Sequence, residues 1–148
     1  PDDVYGHKKI KQAVKPIKVA TGEMCQNRIM FKQFIQQDAV DIVQIDSCRI
    51  GGLNEVLGVL LLAHKYQKPV WPHAGGVGLC EYVQHISMID YLLISCEKNN
   101  KRIEYVEHLH EHFINPCKIN HGKYMAPLEP GFSIEMKSET FTNFLYLK

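Results

Sequence analysis

Short runs of β-branched residues alternate with amphipathic stretches along the first two thirds of the chain. Apolar residues recur at helical spacing in the amphipathic stretches, which predicts helices, whereas the β-branched runs predict buried strands. The expected elements are helix 6–14, strand 17–20, helix 27–37, strand 40–46, helix 54–66, strand 70–71, helix 79–88 and strand 91–95. Strands that alternate with helices indicate a parallel sheet of the α/β class. An open doubly wound sheet and a closed barrel both fit this alternation.

Polar residues at the ends of three predicted strands carry the candidate chemistry. Glu23, Asp46 and His73 each follow a short buried strand, and they are 23 and then 27 residues apart. A (β/α)₈ barrel has about 31 residues per strand–helix unit, and compact units are shorter. Barrel enzymes place their catalytic groups at the C-terminal ends of the strands. One acid alone is explained by helix capping, but three residues in register favour a barrel with an active site.

The sequence around these residues resembles the mandelate racemase-like subgroup of the enolase superfamily. The string ATGE (20–23) is similar to the end of that family's fifth strand, and QID (44–46) to the end of the sixth. PHAGGVGLCEYVQH (72–85) resembles the seventh strand and its loop in L-fuconate dehydratases, IEY (103–105) resembles the eighth strand, and YVEHLHEHF (105–113) the stretch after it. The similarity runs from PDD at the start to PGFSIEM (130–136). It implies an α/β fold, the C-terminal half (about strands 5–8) of a (β/α)₈ TIM-type barrel.

The resemblance also implies a role for each residue. Glu23 would bind Mg²⁺ and contact the substrate, Asp46 and His73 would form a catalytic acid–base dyad, and His73 and Glu104 would contact the substrate. Hard carboxylate oxygens suit Mg²⁺, which stabilises the enediolate formed when a proton leaves the carbon next to a carboxylate. An imidazole oriented by a carboxylate exchanges protons near neutral pH.

The implied function is Mg²⁺-dependent dehydration of L-fuconate to 2-keto-3-deoxy-L-fuconate. Two alternatives stay open at this point. The first is dehydration or racemisation of another aldonate on the same fold. The second is a non-catalytic, truncated chain that acts only through binding.

Several parts of such an enzyme lie outside the 148 residues. Family members carry a Lys-x-Lys pair, two further metal ligands and a capping domain before the segment that resembles this chain. We therefore expect residues 1–113 to hold about half of the barrel, and residues 114–148 to form an extension that wraps the barrel and the capping region. The 148 residues alone are expected to be inactive, and the full-length enzyme is expected to be a homo-oligomer.

The amino-acid composition argues against some classes of partner and indicates a compartment. The net charge is +1, from 17 basic and 16 acidic residues, so no overall field attracts nucleic acid or an anionic membrane. The longest apolar stretch, residues 56–63, is too short to span a bilayer. Five cysteines without a C-x-x-C pair indicate reduced thiols that act as small apolar fillers. An intracellular location is therefore expected, with the cytoplasm and the mitochondrion both open.

Two further motifs have functional interpretations that the residues support less well. The glycine loop at residues 75–78 precedes a helix but lacks the Lys-Ser/Thr ending of a phosphate loop, so loop flexibility beside His73 is favoured. The string HLHEH (108–112) would place His108 and His112 on one helical face. Its acid is at the wrong offset for H-E-x-x-H, so no zinc role is predicted there.

Overall fold

A computed structural model describes residues 1–146. Helices and short strands alternate through its N-terminal part as the hydrophobic pattern predicts. The elements are α1 (Val4–Ala13), β1 (Ala20–Thr21), α2 (Arg28–Gln36), β2 (Ile42–Val43), α3 (Leu53–Lys65), α4 (Leu79–Ile89), a π-helical segment (Asp90–Ser95), a 3₁₀ helix (His110–His112), β3 (Ile119–Asn120), β4 (Lys123–Tyr124) and α5 (Ser138–Phe144). The regular strands are shorter than predicted, since hydrogen-bonded pairing covers only two residues of each run.

Parallel extended segments lie side by side in the order of the chain. β1 pairs in parallel with β2, and Val43 of β2 forms a parallel bridge with Val70. Farther along, the backbone N–H of Glu104 donates to the carbonyl of Pro72 at 3.4 Å. Adjacent units in sequence are therefore adjacent in space, as in consecutive units of a barrel. Residues 1–146 form an open arc of such a barrel and do not close it.

Helices α2 and α3 supply most of the helical side chains in the core beside the arc. Asn27 caps α2, because its side-chain oxygen accepts from the backbone N–H groups of Ile29 and Met30 at 3.0 and 3.1 Å. The residues of these two helices that are buried in the core are Phe31, Phe34, Ile35, Val56, Val59, Leu60 and Ala63, and α4 adds Ile86. Their burial next to the apolar residues of β2 is the main stabilising contribution to this part of the molecule.

A cluster of charges holds the N-terminal ends of β1 and β2. The ammonium of Lys11 is buried and lies 2.6 Å from Asp38 and 3.0 Å from Asp41. Lys68 reaches the same oxygen of Asp38 at 2.8 Å. Hydrogen bonds from Lys11 and Lys68 lower the pKa of Asp38 to about 2. This cluster lies at the end of the sheet opposite to the predicted site residues.

The predicted strand at residues 91–95 is wrong. Helix α4 continues directly into the π-helical segment, in which Ser95 donates to the carbonyl of Asp90 at 3.2 Å. A short apolar run fits a strand and a helix equally well, and no glycine or proline interrupts the chain between α4 and this run. The helix therefore continues and exposes Leu92 and Leu93.

The chain after Phe113 makes little regular structure. It forms the antiparallel β3–β4 hairpin and the short helix α5, and Phe113 bridges Met136 in antiparallel fashion. The division of the chain at residue 113 and the wrapping role of residues 114–148 stay predictions, and residues 147 and 148 lie outside the described part. Within residues 1–146, no helix combines the length and the apolar content that crossing a bilayer requires.

Candidate active site

The four residues predicted for the site meet where the parallel segments end. His73 Nδ1 lies 3.1 Å from Asp46 Oδ2, and His73 Nε2 lies 3.0 Å from Glu23 Oε2. Glu104 Oε2 lies 3.7 Å from the same Nε2 atom. The imidazole is thus surrounded by carboxylates contributed by three different segments of the chain. This convergence is a property of the structure, whereas the roles of the four residues stay predictions.

Asp46 is held in place by its own backbone surroundings. Its Oδ1 atom accepts from the backbone N–H groups of Cys48 at 2.8 Å and Arg49 at 3.2 Å. The backbone N–H of His73 donates to the carbonyl of Ile45 at 3.0 Å, which fixes the two segments next to each other. Only Oδ2 of Asp46 then faces the imidazole. A carboxylate fixed in this way orients the ring and leaves Nε2 directed towards the other two carboxylates.

Glu104 is anchored although no regular strand frames it. Its Oε2 atom accepts from the backbone N–H of Ala74 at 2.8 Å. The hydroxyl of Tyr124 donates to its backbone carbonyl at 2.6 Å. The hydrophobic pattern predicts no element for this segment, because its position comes from contacts with Pro72, Ala74 and Tyr124 rather than from a local pattern.

Glu23 occupies the open side of the cluster, with its side chain 58% exposed. It follows Gly22, whose φ of +138° is strained for any other residue. A Cβ at Gly22 would lie 2.6 Å from the carbonyl oxygen of Gln44. Glycine at this position therefore lets the end of β1 lie close to the neighbouring segment and places Glu23 beside the imidazole.

Gly75 makes room for the histidine. A Cβ on Gly75 would lie 2.8 Å from His73 Nε2 and 3.2 Å from its Cε1. Sequence reasoning favoured loop flexibility for this glycine and missed its steric purpose. The one signal in the sequence was a glycine two residues after the strand-end histidine.

Cys25 is buried, as predicted for a small apolar filler, whereas Cys48 is exposed; neither has the character of a nucleophile. Burial raises the pKa of Cys25 to about 12. Burial also raises the pKa of Cys48, and the charge of Asp46 raises it further. Neither thiol ionises readily at neutral pH, so neither is a reactive thiolate beside the site.

Glu23 suits one ligand position of a Mg²⁺ site. Its carboxylate is a hard oxygen donor on the exposed side of the cluster, and Mg²⁺ takes one or two such carboxylates together with water. Within residues 1–146, a single group of three metal-ligand side chains has its donor atoms within 4.8 Å of one another, and Glu23 is not part of it. Glu23 is therefore one ligand of such a site rather than the whole of it.

Comparison with known proteins places the chain in a family. Residues 1–140 match the enolase C-terminal domain-like family. The chain belongs to this family. The predicted superfamily and the half-barrel fold class are thereby confirmed.

The relatives of this enolase C-terminal domain-like chain are longer proteins. It is 57% identical over 148 residues to the L-galactonate dehydratase of Hypocrea jecorina, a match that covers 99% of this chain and 32% of that protein. The chain spans about a third of the length of the curated relatives it matches.

Two solved structures share its fold. The human mitochondrial enolase superfamily member 1 superimposes with a TM-score of 0.91 at 54% identity, over 95% of this chain and 32% of that one. The L-talarate/galactarate dehydratase of Salmonella typhimurium, liganded with Mg and L-lyxarohydroxamate, gives a TM-score of 0.74 at 25% identity, over 93% of this chain and 32% of that one.

Proposed function

We propose that the chain is part of a Mg²⁺-dependent acid-sugar dehydratase, with L-fuconate as its substrate. The observation that carries the proposal is the position of His73, which is held by Asp46 at Nδ1 and directed towards Glu23 and Glu104 at Nε2. The chain's likeness to an L-galactonate dehydratase supports the same reaction class.

The reaction removes a hydrogen from C2 and a hydroxyl from C3 of the acid. The C2 proton leaves to a base, the C3 hydroxyl leaves as water after it gains a proton, and the resulting enol becomes a 2-keto-3-deoxy acid. His73 has one nitrogen oriented by Asp46 and one directed towards the open side, so it suits proton delivery to either the leaving hydroxyl or C3 of the enol. The resemblance to the family implies that the C2 base is a lysine outside the 148 residues.

The two glutamates would act on the carboxylate end of the substrate. Bound Mg²⁺ would stabilise the negative charge that develops on the substrate carboxylate in the enediolate. Glu23 would contribute one ligand to that ion and contact the substrate. Glu104 would contact the substrate through the oxygen that the backbone N–H of Ala74 holds in place.

L-Galactonate is the second candidate substrate, and the 57% identity to an L-galactonate dehydratase favours it. The two acids share the same configuration from C2 to C5, and L-fuconate lacks the hydroxyl at C6. Glu23, Asp46, His73 and Glu104 are proposed to act at C1 to C3, which the two acids have in common. Comparison of kcat/KM for the two acids would rank them.

Product formation by the protein made from the complete reading frame is the direct test. Incubated with Mg²⁺ and L-fuconate, this protein is expected to form a 2-keto-3-deoxy acid that a semicarbazide trap detects. The 148 residues alone are expected to form no product and to bind Mg²⁺ weakly, since they offer one of its carboxylate ligands. Exchange of the C2 hydrogen with deuterium from solvent without loss of water would instead indicate racemisation. Failure of both reactions in a folded, Mg²⁺-loaded protein would leave the binding-only alternative.

Assembly and location follow as smaller parts of the proposal. We expect a homo-oligomer inside the cell, in the mitochondrion or the cytoplasm. The human relative is named as a mitochondrial protein, which favours the first compartment. Light scattering of the purified protein and fractionation of the cells that make it test the two expectations.

A further inference from the structure

A second cluster of ligand-type side chains contains none of the four residues around His73. Glu81 of α4, His110 and Cys117 have their donor atoms within 4.8 Å of one another. His110 Nδ1 lies 2.6 Å from Glu81 Oε1, and Cys117 Sγ lies 3.8 Å from the same nitrogen. The thiol of Cys80, next to Glu81 on α4, donates to the carbonyl oxygens of Ala74 at 3.6 Å and Val106 at 3.8 Å. The proposed dehydration uses none of these residues.

The hydrogen bonds of His110 require a proton or a metal ion between its Nδ1 atom and Glu81. Its Nε2 lies 2.8 Å from the carbonyl oxygen of Val106, which only accepts, so Nε2 carries a hydrogen. In the neutral ring, Nδ1 would then direct a lone pair at the carboxylate of Glu81, and the two acceptors would repel. Either a second proton or a metal ion resolves this conflict. A histidine whose outer nitrogen donates to a backbone carbonyl is the usual arrangement of a metal ligand.

The ring of His110 is also fixed in its plane. Tyr105 stacks on it with a centroid distance of 5.4 Å and an interplanar angle of 8°. The hydrogen bond to Val106 and this stacking together aim Nδ1 at Glu81 and Cys117. A histidine with a fixed ring loses little freedom when it binds a metal ion.

Glu81 is buried and incompletely satisfied. Its side chain is 1% exposed; Oε1 lies 2.6 Å from His110 Nδ1 and accepts from the backbone N–H of Cys117 at 3.3 Å. Oε2 is buried and has no hydrogen-bond partner among residues 1–146. A buried carboxylate oxygen without a partner is costly, and a bound cation would offset that cost. The unpartnered oxygen is an independent sign that the cluster accommodates a ligand.

We propose that Glu81, His110 and Cys117 bind Zn²⁺. Oxygen, nitrogen and sulfur donors in one site are typical of zinc, whereas Mg²⁺ and Ca²⁺ prefer oxygen alone. Ligand atoms of a tetrahedral zinc site lie about 3.5 Å apart. The 3.8 Å between Cys117 and His110 is close to that value, and a small rotation of Glu81 would open its 2.6 Å contact.

The position of the cluster supports this assignment. The proposed ligands come from α4, from the 3₁₀ helix and from the loop before β3. A zinc ion there would fasten the irregular C-terminal segment to the barrel half.

Metal analysis of the protein made from the complete reading frame tests the proposal. The protein is purified without a histidine tag or chelator, equilibrated with Zn²⁺ in excess Mg²⁺, dialysed and analysed by mass spectrometry for metals. We expect about one zinc ion per chain. Cys117→Ser and His110→Gln are expected to weaken zinc binding by at least ~100-fold. Cys96→Ser and His108→Gln, which change exposed residues of the same types, should retain zinc.

Two further measurements on the unmodified protein keep the test decisive if a variant fails to fold. Co²⁺ in place of Zn²⁺ should give the near-ultraviolet charge-transfer band of a thiolate ligand. No zinc and no such band would overturn the proposal and leave a protonated His110 paired with Glu81. Titration of thiols in denaturant with chelator and without reductant should find all five cysteines. Two missing thiols would instead indicate a disulfide between Cys80 and Cys117, which would also overturn it. Zinc retained by Glu23→Gln would separate this site from the proposed Mg²⁺ site.

Discussion

His73 and His110 each direct Nδ1 at a carboxylate, but their surroundings differ. Asp46 lies 3.1 Å from His73, and its other oxygen is held by backbone N–H groups. His73 Nε2 is directed at Glu23, which is more than half exposed. Glu81 lies 2.6 Å from His110 and is buried, and the second nitrogen of His110 is bound to the carbonyl of Val106.

The difference shows that the role of a histidine–carboxylate pair depends on what the second ring nitrogen of the histidine contacts. At His73 that nitrogen is directed at side chains that solvent or a substrate can reach, so the ring suits proton exchange. At His110 both nitrogens are bound to the protein, which suits a fixed structural role. Burial lowers the pKa of His110, but the hydrogen bonds to Glu81 and Val106 outweigh burial and raise it overall. The pair at His110 therefore favours a cation beside Glu81, either a second proton on the ring or the proposed zinc ion.

The largest expected effect is a difference in kcat between variants of His73 and His110. His73→Asn should lower kcat of the complete protein about 10³-fold, because the proposed proton donor is lost, with little change in Tm. His110→Asn should lower Tm and leave kcat of the folded fraction within a few-fold of the unmodified value. His64→Asn, on the exposed face of α3, is the control for both measurements. Equal losses of kcat in the His73 and His110 variants at equal Tm would contradict the prediction that only His73 acts in turnover.

The next prediction compares how Glu81 and Asp46 affect stability and activity. Glu81→Gln should lower the free energy of unfolding by about 3 kcal/mol, since it leaves the buried partner of an ion pair uncompensated. Asp46→Asn should cost only about 1 kcal/mol, because the amide oxygen can still accept from Cys48 and Arg49. The Asp46 variant should nevertheless slow turnover. Urea unfolding and kcat, measured on both variants, test this prediction. A larger loss of stability for Asp46→Asn than for Glu81→Gln would contradict it.

A smaller effect tests how tightly the His73 ring is positioned. Gly75→Ala would place a methyl group 2.8 Å from Nε2, so the ring must shift from its place between the carboxylates. We expect kcat to fall about 10- to 100-fold, since an ångström of misplacement has effects of this size. Gly51→Ala is the matched control, because its Cβ would meet Glu55 at an ordinary 3.6 Å. Unchanged kcat in Gly75→Ala would mean that the ring position is not critical.

The two sites also differ in how far the sequence could reveal them. Glu23, Asp46 and His73 were predictable because each ends a strand, and parallel strands bring their ends to one edge of the sheet. The cluster at Glu81 was not, because its ligands come from a helix and from irregular chain. No short motif joins them.

Local backbone geometry explains the failed predictions. The string HLHEH suggested that His108 and His112 share a helical face, but Leu109 has a φ of +62° and the 3₁₀ helix begins only at His110. His110 therefore faces the core instead. Residues 91–95 were assigned to a strand because a short apolar run shows no clear period. Only the tertiary structure shows that α4 continues through them.

The smallest expected effect is that of the charge cluster at Lys11, which is remote from both histidines. This cluster contributes to the dependence of fold stability on acid pH. The pKa of Asp38 lies near 2 in the folded chain and near its ordinary value of about 3.9 when unfolded. The pair therefore stabilises the fold above pH ~4, and its contribution is lost as the pH falls from ~4 to ~2. Asp38 is largely exposed, so Asp38→Asn should cost less than ~1 kcal/mol at pH 7.

Urea unfolding of Asp38→Asn at pH 7 and at low pH measures this contribution. The gap in unfolding free energy between the variant and the unmodified chain should close as the pH approaches ~2, where Asp38 is half protonated in the fold. Asp2→Asn, at the exposed N-terminus, is the control for the loss of one negative charge. A gap that stays constant down to pH ~2 would mean that packing rather than charge stabilises the Lys11 cluster. Acid sensitivity in the protein would then have to come from other carboxylates.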